Sequence, residues 1–321
     1  MVWVYLSNKF VCLFLFFLVF LSTLGVVCAV DNDVNPVNLL KKYPTGSNGV
    51  HNVLWVRGSE MHDIDFNVLK ESNIDTVFLN YGALGEYGRD DVVKWIEDAN
   101  RHGIGVHIWM QVLYHDGFQS PVVNNTINED LLEKDINDST VYANIPGIDG
   151  IVLDYLRYPG NNSFDNVDAN AVTSFVVNIT DNVKSVNKDL VVSGTLMPEG
   201  DRIISEYGQN LTILSSKLDY ILPMAYKGNY EQDSAWIREV SDYFVNHSMG
   251  AKVIVSLQSY TSDYNLTKLS DENISGDIDS AYAGGSVGVG IFRYGLTDFE
   301  DIGDNLDVHN FLSQRLYYYS S

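Results

Sequence analysis

Asp154 closes the run GIVLDYLRYP, a lone acid at the end of an otherwise apolar stretch. Burying a carboxylate without a role is costly, so such a residue points to chemistry. Glu199 follows a later apolar run, in MPEG. Two carboxyl groups facing one cleft suit glycosidic cleavage, where one protonates the leaving oxygen and the other serves as base or nucleophile. Asp154 and Glu199 are therefore the candidate catalytic pair. Polar and aromatic residues end the other apolar runs. Arg57, Asn80, Trp109, Arg157, Tyr158, Tyr226, Gln258 and Arg293 are the substrate-binding candidates. Aromatic faces stack on the C–H surfaces of pyranoses, and amide or guanidinium donors bind hydroxyls, so the set fits a sugar.

Each candidate has a structural alternative. Asp154 could anchor the loop that follows it. Glu199 could cap a helix beginning near Gly200. Arg157 could hold its own loop through a salt bridge. Trp109 and Tyr226 could belong to the core, and His107 reads as a core histidine. Glu60 is a third, weaker acid.

Other chemistries lack their residues. No His-Glu-x-x-His occurs, and the histidines are scattered, so no metal site is expected. The only cysteines, Cys12 and Cys28, lie near the amino terminus, leaving the rest without disulfide or thiol nucleophile. No cofactor is implied.

The elements that must position these residues recur regularly. Short apolar runs rich in Val, Ile, Leu and aromatics span Val53–Arg57, Thr76–Tyr81, Gly105–Leu113, Gly150–Asp154, Leu190–Met197, Tyr220–Tyr226, Lys252–Tyr260 and Val287–Tyr294. That is how parallel strands buried on both faces read. Helical stretches separate them. Asp90–His102 opens with acids, ends with basic residues and stops at Gly103, as the helix dipole favours. Asp168–Val186 and Ser234–Phe244 have similar apolar spacing. Eight strands alternating with helices predict an α/β fold, a (β/α)₈ TIM barrel in a single domain over residues 51–321. No glycine-rich loop follows the first strand, which disfavours an open nucleotide-binding sheet. Gly284, Gly285, Gly288 and Gly290 read as turn and packing residues. Barrel active sites form at the carboxyl ends of the strands, where the candidates fall.

DGIVLDYLRYP (Asp149–Pro159) resembles the fourth strand of glycoside-hydrolase-like barrel families, which read Asp-Gly-Ile-x-Leu-Asp-Tyr-x-Arg-Tyr-Pro there. GIGVHIWMQ (Gly103–Gln111) looks like their third strand. DYILPMAY (Asp219–Tyr226) resembles their sixth, which is also similar to that of family 18 chitinases. The resemblance implies a (β/α)₈ barrel acting on polysaccharide, with Asp154 as a catalytic or substrate-positioning acid. The chain departs from the chitinases, whose motif is Asp-x-Asp-x-Glu. Val152 and Leu156 stand where the other two acids would be, which disfavours substrate-assisted chemistry of the chitinase type. The related families often have His at the position of Val152.

The rest of the chain bears on location. Of 321 residues, 45% are hydrophobic and 12% aromatic, enough for a large core, and the net charge is −22. Such a charge repels phosphate backbones, so nucleic acid is not an expected partner. Lys9 is the only charge before the apolar run Phe10–Val30, which ends in Val27-Cys28-Ala29. Residues 1–29 read as a signal peptide, or as a membrane anchor if uncleaved, with 30–50 a leader segment. Without that anchor no membrane insertion is expected. Sequons at Asn124, Asn137, Asn161, Asn178, Asn210, Asn246, Asn265 and Asn273 fit a glycosylated protein, secreted or at the cell surface. The expected function is extracellular glycoside hydrolysis of a polysaccharide or oligosaccharide. The alternatives are a non-catalytic polysaccharide-binding barrel and a structural surface glycoprotein.

Overall fold

The computed structural model describes residues 52–160 and 167–299. The expected leader and Asn161 lie outside them. Eight parallel strands close into a barrel in chain order: β1 (Val53–Val56), β2 (Thr76–Asn80), β3 (Gly105–Gln111), β4 (Gly150–Asp154), β5 (Val191–Leu196), β6 (Tyr220–Ala225), β7 (Lys252–Gln258) and β8 (Gly288–Phe292). β8 pairs with β1 through Gly290–Val53 and Ile291–Leu54, which completes the ring. This is the expected (β/α)₈ architecture.

Several strands end earlier than the apolar runs do. β3 stops at Gln111, although Val112 and Leu113 still donate to the carbonyls of Asp154 and Tyr155. β7 stops at Gln258, and Tyr260–Ser262 instead pairs antiparallel with Asn265–Lys268 as a hairpin over the mouth. Apolar content extends through both turns, so composition alone marks the run and not its last ladder bond.

The connecting helices follow their local signals. Helix Arg89–Arg101 carries Asp90 and Asp91 in its first turn and buries Val92, Trp95, Ile96 and Ala99, one stripe at helical spacing. Asp168 lies just outside its helix, Ala169–Val186, because its side chain accepts from the N–H groups of Asn170 and Ala171. Asp233 caps helix Ser234–His247 through Trp236. No described helix is long and apolar enough to cross a membrane.

Alternation along the strands builds two cores. One set of side chains packs outward under the helices, including Leu54, Val77, Ile108 and Leu153. The other points into the barrel: Val53, Trp55, Phe78, Trp109, Val152, Tyr220, Leu222 and Ile254. Trp55 sits edge-on to Phe78 at 4.9 Å and to Trp109 at 5.0 Å. A Cβ on Gly290 would lie 3.0 Å from Val53 and 3.4 Å from Trp55 Nε1, so glycine makes room for that indole. The same parity on β3 sends His107, Trp109 and Gln111 to successive interior levels.

Candidate active site

Asp154 ends β4 facing inward, paired in register with Gln111. It is 8% exposed. Its Oδ2 accepts from Trp109 Nε1 at 2.9 Å, and its Oδ1 accepts from Thr195 Oγ1 at 2.7 Å and Tyr155 N at 2.8 Å. Burial pushes the carboxyl above the ordinary aspartate range, against those three donors and the Arg157 cation. The next residue, Tyr155, has φ +56°, an unfavourable conformation for an aromatic residue. That turn lets its N–H return to Asp154 and stacks its ring on Tyr114 at 4.4 Å.

Asp154 opens into a cavity of about 570 Å³ at the carboxyl ends of the strands. Aromatic walls come from Trp109, Tyr155, Tyr226, Tyr230, Tyr260 and Phe292, and polar groups from Gln111, Arg157, Asn229, Asp263 and Arg293. Tyr226 stacks on Phe292 with ring centroids 5.4 Å apart. Burial, then the charge of Asp154, raises the Tyr226 hydroxyl well above its usual pKa, so it stays a neutral donor. Tyr155 is pushed up to about 12, chiefly by burial.

The structure brings Asp154, Trp109, Arg157, Tyr226 and Arg293 together at this cavity and places the other candidates elsewhere. Glu199 is not among the lining residues. It stands behind Tyr230, its Oε1 accepting from the hydroxyls of Tyr207 and Tyr230 at 2.8 Å each, while its Oε2 is buried without a partner. Arg57 is not among the lining residues and pairs with Glu60. Glu60 also binds Arg293 at 3.0 Å, so the third acid bridges two guanidinium groups. Asn80 uses its Oδ1 to accept from Gly82 N. Tyr158 is 2% exposed and belongs to the outer core. Gln258, also 2% exposed, supports the wall by donating to Asp263 at 3.2 Å. Lys227 pairs with Asp277 at 2.7 Å.

Arg157 forms no salt bridge among the described residues, which corrects the expectation that one would hold its loop. Its guanidinium lies 4.9 Å from the Phe118 ring centroid and 5.8 and 5.7 Å from those of Tyr155 and Tyr207. Its position is set by ring faces and by a bond to Tyr158 O. His107 is buried at the opposite end of the barrel, where burial lowers its pKa to about 4 and keeps it neutral.

Sequence reasoning missed Asp263, Asn229 and Tyr230. Asp263 lies at the tip of the hairpin that the seventh apolar run hid. The turn residues Ser262-Asp263-Tyr264-Asn265 were its available signal.

Val152 is fully buried inside the barrel and Leu156 is 1% exposed in the outer core, so neither lines the cavity. Six sequon asparagines (Asn124, Asn137, Asn178, Asn246, Asn265 and Asn273) are exposed, whereas Asn210 is half-buried and caps a helix through Ile213 N.

No protein-family profile and no curated protein sequence matches the chain. Solved structures do match in shape. A chitinase from Chromobacterium violaceum superposes with a TM-score of 0.58 at 13% identity, covering 81% of this chain and 99% of that one. Catalytic domain 2 of the Ostrinia furnacalis Group II chitinase gives 0.59 at 10% identity, covering 82% and 96%. A glycoside hydrolase family 18 N-acetylglucosaminidase from Paenibacillus barengoltzii gives 0.55 at 11%, covering 80% and 99%. At these identities the likeness is one of fold. By architecture the chain is a closed (β/α)₈ barrel of the kind these glycoside hydrolases build.

Proposed function

We propose that the chain is a glycoside hydrolase in which Asp154 is the proton donor. The observation that carries this reading is a buried carboxyl, raised in pKa by desolvation, opening into an aromatic-walled cavity at the catalytic end of the barrel. A carboxyl that keeps its proton can protonate a glycosidic oxygen as the bond breaks. Trp109 and Thr195 fix its two oxygens, so little reorganisation accompanies that transfer. Tyr226 and Phe292 form a stacked apolar wall for a pyranose face, and Asn229, Gln111 and the Tyr226 hydroxyl supply hydroxyl partners. That the structural neighbours are chitinases and a related N-acetylglucosaminidase favours a carbohydrate substrate. The buried Val152 and Leu156 argue against the chitinases' own acid arrangement.

The apolar amino-terminal run and the exposed sequon asparagines support an enzyme that works outside the cell, secreted or surface-bound, as a glycoprotein. A loss of mass on enzymatic deglycosylation of the native protein tests that part.

The test of activity is reducing-end release from a panel of soluble polysaccharides and N-acetylchitooligosaccharides. Wild type should release sugar from at least one of them and Asp154→Asn should not. Binding of a glycan without release would instead favour the non-catalytic alternative.

A further inference from the structure

We propose that Asp263 is the second carboxylate of the reaction, the base that takes a proton from the attacking water. The assignment rests on the hydrolase reading above and adds a residue to it. Asp154 and Asp263 are the two carboxylates among the residues lining the cavity. They reach it from different sides. Asp154 ends β4, and Asp263 lies on the hairpin that follows β7, three strands further round an eight-stranded ring. Tyr226, at the end of β6, stands between them in strand order, and both carboxylates raise its pKa, as both raise that of Tyr155.

The Asp263 carboxylate is held at a hairpin tip as firmly as a strand-borne group. Its Oδ1 accepts from Tyr260 OH at 2.9 Å and Gln258 Nε2 at 3.2 Å, and its Oδ2 accepts from Asn229 Nδ2 at 2.9 Å. Its own N–H donates to Asn229 Oδ1 at 2.9 Å, closing a two-way link between the β6 loop and the hairpin. Gly228 brings the two backbones together: a Cβ there would lie 1.7 Å from the carbonyl oxygen of Thr261. Among the described residues Asp263 has no salt-bridge partner, and the residue is exposed. Oδ2, with one protein donor, keeps a lone pair for water.

The step balances. Asp154 gives its proton to the glycosidic oxygen as the bond to the anomeric carbon breaks. Water attacks that carbon from the opposite face and passes a proton to Asp263. The products are a free sugar and an alcohol, and exchange with solvent returns one proton to Asp154 and removes one from Asp263. The anomeric configuration inverts.

The experiment uses the full chain and a panel of dinitrophenyl α- and β-disaccharides of glucose, galactose, xylose and N-acetylglucosamine. Dinitrophenolate leaves without protonation, so the acid and the base separate. Asp154→Asn should keep most of the wild-type rate, and Asp263→Asn should lose about a hundredfold or more at an unchanged melting temperature. Azide should restore turnover to Asp263→Ala, where the vacated space admits it, and yield the inverted glycosyl azide. Wild type should release a sugar of inverted configuration by NMR. An active wild type with Asp263→Asn within a fewfold of it, or with a first product of retained configuration, overturns the assignment and leaves the hydrolase reading intact. A wild type inert on the whole panel and on the polysaccharides overturns both.

Discussion

The two ends of the barrel hold cavities of similar size and differ in what their acids hold. The carboxyl end has a cavity of about 570 Å³, and the amino end one of about 660 Å³ lined by Asp75, Asp149, Asp189 and His107. At the amino end three carboxylates each accept from a backbone N–H, with Thr76 Oγ1 also donating to Asp75 and Lys184 Nζ to Asp219. Asp75 takes the N–H of Asn52, Asp149 that of Val106, and the nearby Asp219 that of Val192. They tie off the starts of strands, a structural duty. At the carboxyl end most donors are side chains: Trp109 and Thr195 hold Asp154, and Tyr260, Asn229 and Gln258 hold Asp263. Side-chain donors aim a carboxylate, whereas backbone donors stitch it into the ladder. Volume does not separate the two ends, but the identity of the donors does.

The sharpest way to break this contrast is to neutralise one acid at each end. Asp154→Asn should lower the rate on unactivated glycans by about a hundred- to ten-thousandfold. Its stability should fall by about 1–3 kcal/mol, because the amide oxygen still serves Thr195 and Tyr155 but the buried Trp109 N–H loses its acceptor. Initial rates and urea midpoints on the same preparation measure both. A large fall in stability with unchanged activity would put Asp154 in the structural class.

The sequence made one of these ends much easier to read than the other features of the site. Asp154 was legible because it is the only acid in a fully buried five-residue strand, and strand parity then directs it inward. Trp109 and Tyr226 were legible for the same reason, as strand-borne residues near the ends of β3 and β6. Arg157 was visible as a cation, but its partners were not, because Phe118 and Tyr207 come from loops and helices far off in the chain. Glu199 and Asp263 show the limit most clearly. Both follow strands, and both lie near the mouth. Which one reaches the cavity depends on loop paths: Gly228 lets one loop pack flush on the hairpin, while Tyr230 stands in front of Glu199. Periodicity carries no information about such paths.

At the amino end His107 offers the next largest effect. It is 1% exposed, and its pKa falls from 6.5 to about 4 because burial disfavours the imidazolium. The unfolded chain therefore binds the proton more readily between those values. Stability from this group is complete above pH 6.5 and is lost as pH falls toward 4, by roughly 3 kcal/mol in all. Replacing His107 with Leu should flatten that part of the stability curve while leaving the activity of the distant mouth unchanged at neutral pH. Urea unfolding of both proteins from pH 7 to 4 would show it, and parallel curves would remove His107 as the cause.

A smaller effect belongs to Asp149. In Asp149→Ala the N–H of Val106 loses its acceptor, which should cost about 1–2 kcal/mol, with kcat and KM unchanged. A loss of activity out of proportion to the loss of folded protein would mean that the amino end takes part in the chemistry, contrary to the division drawn from its donors.

Arg157 supplies the smallest and most specific effect. Its cation lowers the pKa of Asp154, opposing the rise caused by burial. Removing the charge in Arg157→Gln takes away one of the influences that oppose burial, so Asp154 holds its proton to higher pH. If Asp154 must be protonated to act, activity persists below its pKa and fades as pH rises through it. The alkaline limb of the kcat/KM profile should then move upward by about half a pH unit, the size expected for one partly screened charge. The acid limb should stay in place. A shift of both limbs together would mean that Arg157 acts on the whole mouth through its packing on Phe118 and Tyr207, and an unmoved alkaline limb would detach that limb from Asp154.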